Sequence, residues 1–175
     1  MQYIQVCLVL IVASAYFLAV DACDGYKLKL KLEEDDPNNF IKFNDIDVQL
    51  TKDCFVVPKG CMKIEKEMGR CQVMYDIRKK GIVVPFKGEK NMCEEIEKMG
   101  KTPEAVEKLK EYNVVAKCPI PKMDSMCVPE ESKMNVEQYK DKFRLAAGIY
   151  TGTVTVKCDC GTSAFKVSAE FKRGK

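Results

Sequence analysis

The chain of 175 residues contains no histidine. This absence excludes serine–histidine and cysteine–histidine nucleophiles, a histidine general base, and zinc sites with histidine ligands. A glycine-rich phosphate loop is also missing. The net charge is only +3, and no arginine-rich block suggests nucleic acid. We therefore predict a protein without catalytic residues, metal or cofactor, and with no nucleic-acid partner.

Two features of the sequence could still suggest chemistry. Glu94 and Glu95 form a carboxylate pair, but adjacent acids are typical of a solvated surface. Cys158 and Cys160 could suggest a metal or redox site, although such sites usually have two intervening residues. In a strand, their spacing directs both thiols into one core. Disulfide formation is therefore favoured, and an enzyme is the least favoured class.

The start of the chain is almost wholly apolar. Residues 4–20 carry no charge, and small residues three and one positions before Cys23 favour cleavage after Ala22. A signal anchor and a lipoprotein acylated at Cys23 are the less favoured alternatives. We predict a signal peptide over residues 1–22 and one secreted domain over residues 23–175.

Cysteines are frequent after the predicted signal peptide. Ten occur in the chain, and Cys7 lies within the signal. Because disulfides persist in secreted proteins, the other nine predict up to four disulfides and one leftover thiol. The leftover thiol would be free or would bridge to another molecule.

The clearest strand pattern is at the C-terminal end. Residues 150–160 and 165–172 alternate apolar and polar side chains around a turn at residues 159–162, which predicts an antiparallel hairpin. Six further strand candidates have short turns between them, including residues 58–60 and 79–81. The candidates are residues 26–33, 46–51, 55–57, 62–64, 71–78 and 82–86. This pattern predicts a mainly β domain, a sandwich of two antiparallel sheets.

The middle of the chain has a different period. Residues 89–99 and 103–112 carry apolar residues at helical spacing, with Thr102 as an N-cap and Pro103 at the first helical position. We predict a short helical insert that contains the only helix. Residues 118–134 show no period and are predicted to be irregular. Methionines concentrate in these middle segments and suit an apolar guest, although ordinary packing onto the sandwich is an equal alternative.

Several short motifs occur in an order typical of one known family. They are Cys23, Asp47–Leu50 leading to Val56–Gly60, the strand pair 71–86, Asn91–Ile96 with its Cys-Glu-Glu-Ile, Lys117–Ile120 with its Cys-Pro, and Gly148-Ile149-Tyr150. On these motifs the chain resembles the ML (lipid-recognition) domain family, and within it the ganglioside activator-like branch. The resemblance covers most of the chain after residue 22.

The resemblance implies an immunoglobulin-like β-sandwich whose sheets splay apart around a lipid cavity. It implies a secreted, non-enzymatic lipid-binding and lipid-transfer protein, and the activator branch lifts glycolipids from membranes for a partner hydrolase. The expected partners are thus a lipid or glycolipid, a membrane surface in transient contact, and a hydrolase. The alternative is a secreted interaction module with a filled core that binds a receptor or other protein.

Disulfide pairs follow partly from the resemblance, which implies a bond between Cys93 and Cys118. It also implies that Cys23 pairs near the last strand, where the nearest cysteines are Cys158 and Cys160. Cys54 and Cys61 are a further candidate pair, because they flank the predicted turn at residues 58–60.

The predicted lipid site follows from the inward faces of the strands. The cavity would be lined by Val73, Tyr75, Ile77, Val84, Phe86, Tyr150, Val154, Val156, Phe165 and Val167. Its mouth would lie beside the insert, at Met92, Ile96, Met99, Phe143 and Leu145.

Two surface features bear on location and membrane contact. Lys27, Lys29 and Lys31 form a row on one strand face that could attract an anionic lipid surface, but a solvated face is the favoured interpretation. The sequence has no Asn-x-Ser/Thr sequon, so the chain has no N-glycan of its own for delivery to lysosomes. The expected location is extracellular, with the lysosome as the alternative.

Overall fold

The computed structural model describes Cys23 and residues 25–34, 36–111 and 117–173. The predicted signal peptide lies outside these residues, as does Tyr112. The described chain forms nine strands in two antiparallel sheets, with a short helical insert and four disulfides. This architecture confirms the predicted mainly β sandwich. No helix in the described ranges is long and apolar enough to span a membrane.

The first sheet has five strands in the order β1-β9-β8-β4-β5. Its strands are β1 (Tyr26–Glu34), β4 (Cys71–Lys79), β5 (Phe86–Asn91), β8 (Gly148–Cys158) and β9 (Gly161–Arg173). The hairpin predicted at the C-terminal end is confirmed as β8 and β9, which pair from Cys158 opposite Gly161 to Gly148 opposite Phe171. Alternation buries one face of this hairpin and leaves the other wet.

The second sheet has the order β2-β3-β6, and a further short strand also pairs with β3. Its strands are β2 (Ile41–Leu50), β3 (Phe55–Ile64), β6 (Met123–Cys127) and β7 (Met134–Asn135). The prediction that residues 118–134 are irregular is therefore wrong in part. Strand formation there follows from pairing with β3, because the segment has no alternation of its own.

The turn predicted at residues 58–60 is wrong, because β3 runs through it without interruption. Gly60 has a φ of +119° and lies opposite a bulge in β2, where Asp45 has a φ of 52°. A Cβ on Gly60 would lie 2.9 Å from the carbonyl oxygen of Asn44. Glycine here thus permits a close approach between two strands, which sequence alone does not distinguish from a turn.

The strand predicted over residues 82–86 is also wrong. Residues 80–85 form the connection after β4, and β5 begins only at Phe86. The strand β5 lies exposed at the sheet edge, and its sequence Phe-Lys-Gly-Glu-Lys-Asn is mostly polar. It therefore lacks the apolar–polar alternation by which a strand is predicted from sequence.

Helices occupy two places in the described chain. The insert contains α1 (Met92–Gly100) and α2 (Pro103–Glu111), and Asn91 caps α1 by accepting hydrogen bonds from the N–H groups of Cys93 (3.1 Å) and Glu94 (3.4 Å). The prediction that the insert holds the only helix is wrong. A 3-10 helix (Glu137–Lys142) and α3 (Phe143–Ala146) form just before β8.

Four disulfides join the described cysteines, and Cys160 remains free. The bonds are Cys23–Cys54, Cys61–Cys127, Cys71–Cys158 and Cys93–Cys118. The last is the pair that the resemblance implies, with its Cα atoms 5.7 Å apart.

Two predicted disulfide assignments are wrong. Cys54 and Cys61 do not pair, because a continuous extended chain rising about 3.3 Å per residue keeps them apart. Cys23 pairs with neither Cys158 nor Cys160. Cys158 faces Cys71 across β4 and β8 and bonds to it there.

Candidate functional site

The apolar interior between the sheets is the candidate site. Seven of the ten predicted cavity residues are buried and belong to one hydrophobic cluster. The register explains this, since Val73 lies opposite Val156, and Val154 lies opposite Phe165. Val156 is 0% exposed. The seven are Val73, Ile77, Tyr150, Val154, Val156, Phe165 and Val167.

The other three predicted cavity residues differ. Tyr75 is half-buried, packs against the cluster and lies over Gly88 of the edge strand, where any Cβ would meet its ring. Val84 is 70% exposed and Phe86 is 37% exposed. Placing these two in the cavity is therefore wrong, because Val84 lies in the loop before β5 and Phe86 is the first residue of that edge strand, where the pairing with β4 ends.

The second sheet supplies apolar residues that sequence reasoning missed. Ile41, Met62 and Ile64 are buried in the same cluster, and the Phe43 ring meets the Phe165 ring edge-on with centroids 5.0 Å apart. Ile41 and Phe43 do alternate with polar residues. The bulge at Asp45 shifts the alternation before Ile46, so the pattern does not continue in one phase.

The two long sides of the sandwich are closed in different ways. On one side β1 lies next to β2, and Lys42 pairs with Glu34 at 2.9 Å. The strands at the other side are β5 and β6, which do not pair with each other. Helix α1 contacts β4 and β5 there. No backbone ladder joins β5 to β6. Side chains of α1 close the interior there, together with a single backbone bridge between Met68 and Ile120, which precede β4 and β6.

The predicted mouth residues separate into two groups. Met92, Ile96 and Met99 lie on the buried face of α1, at 5%, 4% and 3% exposure, so they are core residues and not an exposed rim. A charged side chain at Met99 would therefore be buried in the core. The Cys93–Cys118 disulfide ties this helix to the segment before β6.

Phe143 and Leu145 lie elsewhere, which makes the single predicted mouth wrong. Phe143 belongs to a second cluster near the Cys23–Cys54 disulfide, and its ring packs against Phe171 with centroids 5.0 Å apart. Leu145 is 74% exposed. The short helix that carries both was not visible as a helix in the sequence, because it has a single turn.

Polar groups inside are few. The buried polar residues of the described chain are Asn39, Ser132 and Ser163. The Ser163 hydroxyl accepts hydrogen bonds from the N–H groups of Phe40 (3.0 Å) and Ile41 (3.1 Å), so it is occupied by the backbone. Burial raises the pKa of the Tyr150 hydroxyl, which donates to the Ala146 carbonyl. Within the described ranges, no group of three or more cysteines or acids is placed to hold a metal ion.

Comparisons with known proteins complete the description. No family model and no curated protein matches the sequence. Among solved structures, chicken MD-1 complexed with lipid IVa matches with 12% identity and a TM-score of 0.45. The match covers 90% of this chain and 98% of that chain. Function must therefore be argued from the residues of this chain.

Proposed function

We propose that this chain is a secreted, non-enzymatic lipid-binding protein that holds an apolar lipid tail between its two sheets. One observation carries the proposal. Both inner faces are apolar, and the side between β5 and β6 is closed by side chains of a helix without strand pairing. Four disulfides support secretion, because such bonds persist in oxidising compartments.

Entry of a tail is proposed to occur between β5 and β6. Met62 is buried, and Met123 and Met126 of β6 are half-buried against the core. Methionine side chains adapt to irregular apolar surfaces, so this edge can repack around a guest. Movement of α1 would withdraw Met92 and Ile96 and open the interior.

The energy of such binding is sufficient. Each buried methylene contributes roughly 0.8 kcal/mol, so about twelve carbons supply about 10 kcal/mol before the costs of ordering and association. Micromolar or tighter binding is therefore expected without a charged contact. Specificity for the tail would be loose, because an apolar wall distinguishes tails only by length and shape.

Membership of the ML domain family and of its ganglioside activator-like branch remains part of this proposal. It is supported by the order of the short motifs and by the Cys93–Cys118 disulfide. In that branch the lipid would be a glycolipid presented to a hydrolase. Testing whether the protein stimulates a glycolipid hydrolase on its membrane-bound substrate addresses this finer claim separately.

Two measurements test lipid binding itself. Native mass spectrometry of protein purified from a secretory host should show added mass from co-purified lipid. A fatty acid with a fluorescent label should also bind in buffer without vesicles, and its emission should report an apolar site. A protein that carries no lipid and binds no labelled fatty acid would contradict the proposal.

Neighbouring residues offer a matched pair of variants for the entry side. Met126→Lys places a charge beside the core, whereas Ser125→Lys places the same charge on an exposed neighbour. Fatty-acid affinity should fall about tenfold or more for Met126→Lys, since burying a charge is strongly unfavourable. Ser125→Lys should bind like the unchanged protein. Circular dichroism would establish that both variants are folded.

A second function is supported by a specific observation. Val154 and Val156 are 2% and 0% exposed and pack within a continuous cluster, as expected of a filled core. A filled core would suit an interaction module that uses the sandwich only as a scaffold. Absence of lipid in both measurements, together with capture of a specific receptor, would favour that module.

A further inference from the structure

One end of the five-stranded sheet exposes an unusual set of apolar side chains. Val83 is 97% exposed, and five more exposed apolar residues lie in the loop before β5, at the start of β5, in α3 and at the start of β8. This β4–β5 surface consists of Ile82, Val83, Val84, Phe86, Leu145 and Ile149. Contiguous exposed apolar groups mark a site of interaction more often than scattered single residues do.

Backbone contacts place the two segments of the β4–β5 surface side by side. The Lys80 N–H donates to the Ile149 carbonyl at 2.8 Å, and the Ile82 N–H donates to the Lys79 carbonyl at 3.0 Å. The Lys79 ammonium donates to the Leu145 carbonyl at 2.6 Å. The loop and the residues around α3 therefore share one end of the molecule.

Positive charge surrounds this surface. Arg78, Lys79, Lys80 and Lys87 flank the loop, and residues 78–87 include no acid. Arg144 adds a cation beside Leu145, and residues 142–149 also include no acid.

Two acids beside the β4–β5 surface have cationic partners. Asp76 pairs with Lys87 at 2.6 Å and with Arg78 at 3.8 Å. Glu170, opposite Ile149 in the register, pairs with Lys172 at 2.7 Å. Lys80 and Arg144 are exposed and stand beside apolar tips.

We infer that the β4–β5 surface docks on an anionic bilayer. Apolar tips insert at the boundary between headgroups and acyl chains, and the surrounding cations contact anionic headgroups. A protein partner would need matching acids and a shaped pocket. An anionic bilayer offers an apolar interior for the exposed loop and negative headgroups for the cations around it. Because β5 starts at Phe86, docking would bring its edge strand close to the membrane. This inference does not depend on a lipid in the core.

Vesicle co-sedimentation tests the surface directly. The secreted protein should bind phosphatidylcholine vesicles that contain phosphatidylserine, bind pure phosphatidylcholine more weakly, and dissociate as salt is added. Val83→Asp should lower the partition coefficient about tenfold or more, because burying one valine contributes about that factor. The matched control is Thr162→Asp, an exposed position at the opposite end of β9.

A second pair of variants tests the charges. Lys80→Gln should weaken binding about fivefold, the contribution of one cation near an anionic surface. Lys31→Gln, in the lysine row of β1, should have little effect. If Lys31→Gln weakens binding as much as Lys80→Gln does, the sheet face is the docking site and the inference is wrong.

Other outcomes would also overturn the inference. Unchanged vesicle binding by Val83→Asp would show that the loop does not insert. Loss of a dimer in Val83→Asp, seen by sedimentation velocity, would show that a second copy covers the surface instead. The labelled fatty acid in vesicle-free buffer reports the core separately, so a failure of docking and a failure of lipid binding are distinguishable.

Discussion

The side chain of Asn39 makes two hydrogen bonds with the backbone of Ala164, donating to its carbonyl oxygen and accepting from its N–H, both at 2.8 Å. Asn39 precedes β2 in one sheet, and Ala164 belongs to β9 in the other. Together with the Ser163 hydroxyl, this amide connects the two layers where the chain passes from β1 to β2.

Replacing Asn39 with alanine should therefore destabilise the protein. Asn39 is 1% exposed, so the change leaves two backbone groups without their partner in a buried place. We expect a loss of about 2–4 kcal/mol in the free energy of unfolding. Urea denaturation measures it, and Asn38→Ala, at an exposed neighbour, should change stability by about 0.5 kcal/mol or less. Equal effects of the two variants would contradict the bridging role of Asn39.

Gly152 should not tolerate a side chain. Its added Cβ would meet the carbonyl oxygen of Asp76 and lie 2.8 Å from the Cα of Ile77, both on the paired strand β4. Since the obstacle is backbone in the middle of the sheet, Gly152→Ala should cost about 1–3 kcal/mol. Thr151→Ala, at the exposed preceding position, should cost about 0.5 kcal/mol or less. Thermal unfolding of the two variants would show the difference, and similar midpoints would contradict it.

The Cys71–Cys158 disulfide should stabilise the fold more than the Cys93–Cys118 disulfide. The first spans 87 residues and the second spans 25. A longer closed loop removes more entropy from the unfolded chain, a difference of about 1 kcal/mol between these two bonds. Double alanine variants of each pair, compared by denaturant midpoint, measure the order. A larger loss of stability on replacing Cys93 and Cys118 would contradict this order. It would show that holding α1 in place stabilises the fold more than the length of the closed loop indicates.

Cys160 should be the alkylated cysteine after residue 22, and it should react slowly at neutral pH. Burial, and then the charge of Asp159, raise the pKa of its thiol above the ordinary value. Alkylation needs the thiolate, so the rate should rise as pH increases toward that raised pKa. Asp159→Asn should lower the pKa and speed the reaction, while Glu130→Gln, at an exposed distant acid, should not. Peptide mapping after iodoacetamide treatment locates the label, and a label at Cys71 or Cys158 would contradict the pairing.

Local pattern was sufficient to predict much of this protein. Strict alternation over β1, β4, β8 and β9 predicted four strands and the inner face of their sheet, because side chains in a strand alternate between faces whatever lies beyond. Helical spacing located α1 and α2 in the insert. The odd number of cysteines after residue 22 predicted up to four bonds and a leftover thiol, without identifying which cysteine remains free.

Other features were decided only by contacts between distant segments. β5 and β6 are polar or irregular in sequence and exist because β4 and β3 supply their hydrogen-bond partners. Gly60 reads as a turn until the bulge at Asp45 is seen opposite it. Cys54 forms its disulfide with Cys23 and not with Cys61, because the extended strand β3 separates Cys54 from Cys61.

At the candidate site, too, local pattern predicted some features and contacts between distant segments decided the others. Period-2 spacing determined that Val154 and Val156 face inward, because that depends on backbone geometry within one strand. Whether Val84 is a wall or an exposed tip depends on where the hairpin stops pairing, and its 70% exposure follows from the loop before β5. Met99 was expected at an exposed rim but is buried, because α1 packs against β4 and β5. Sequence determined which side chains are apolar, and only tertiary packing decided which of them meet one another and which meet solvent.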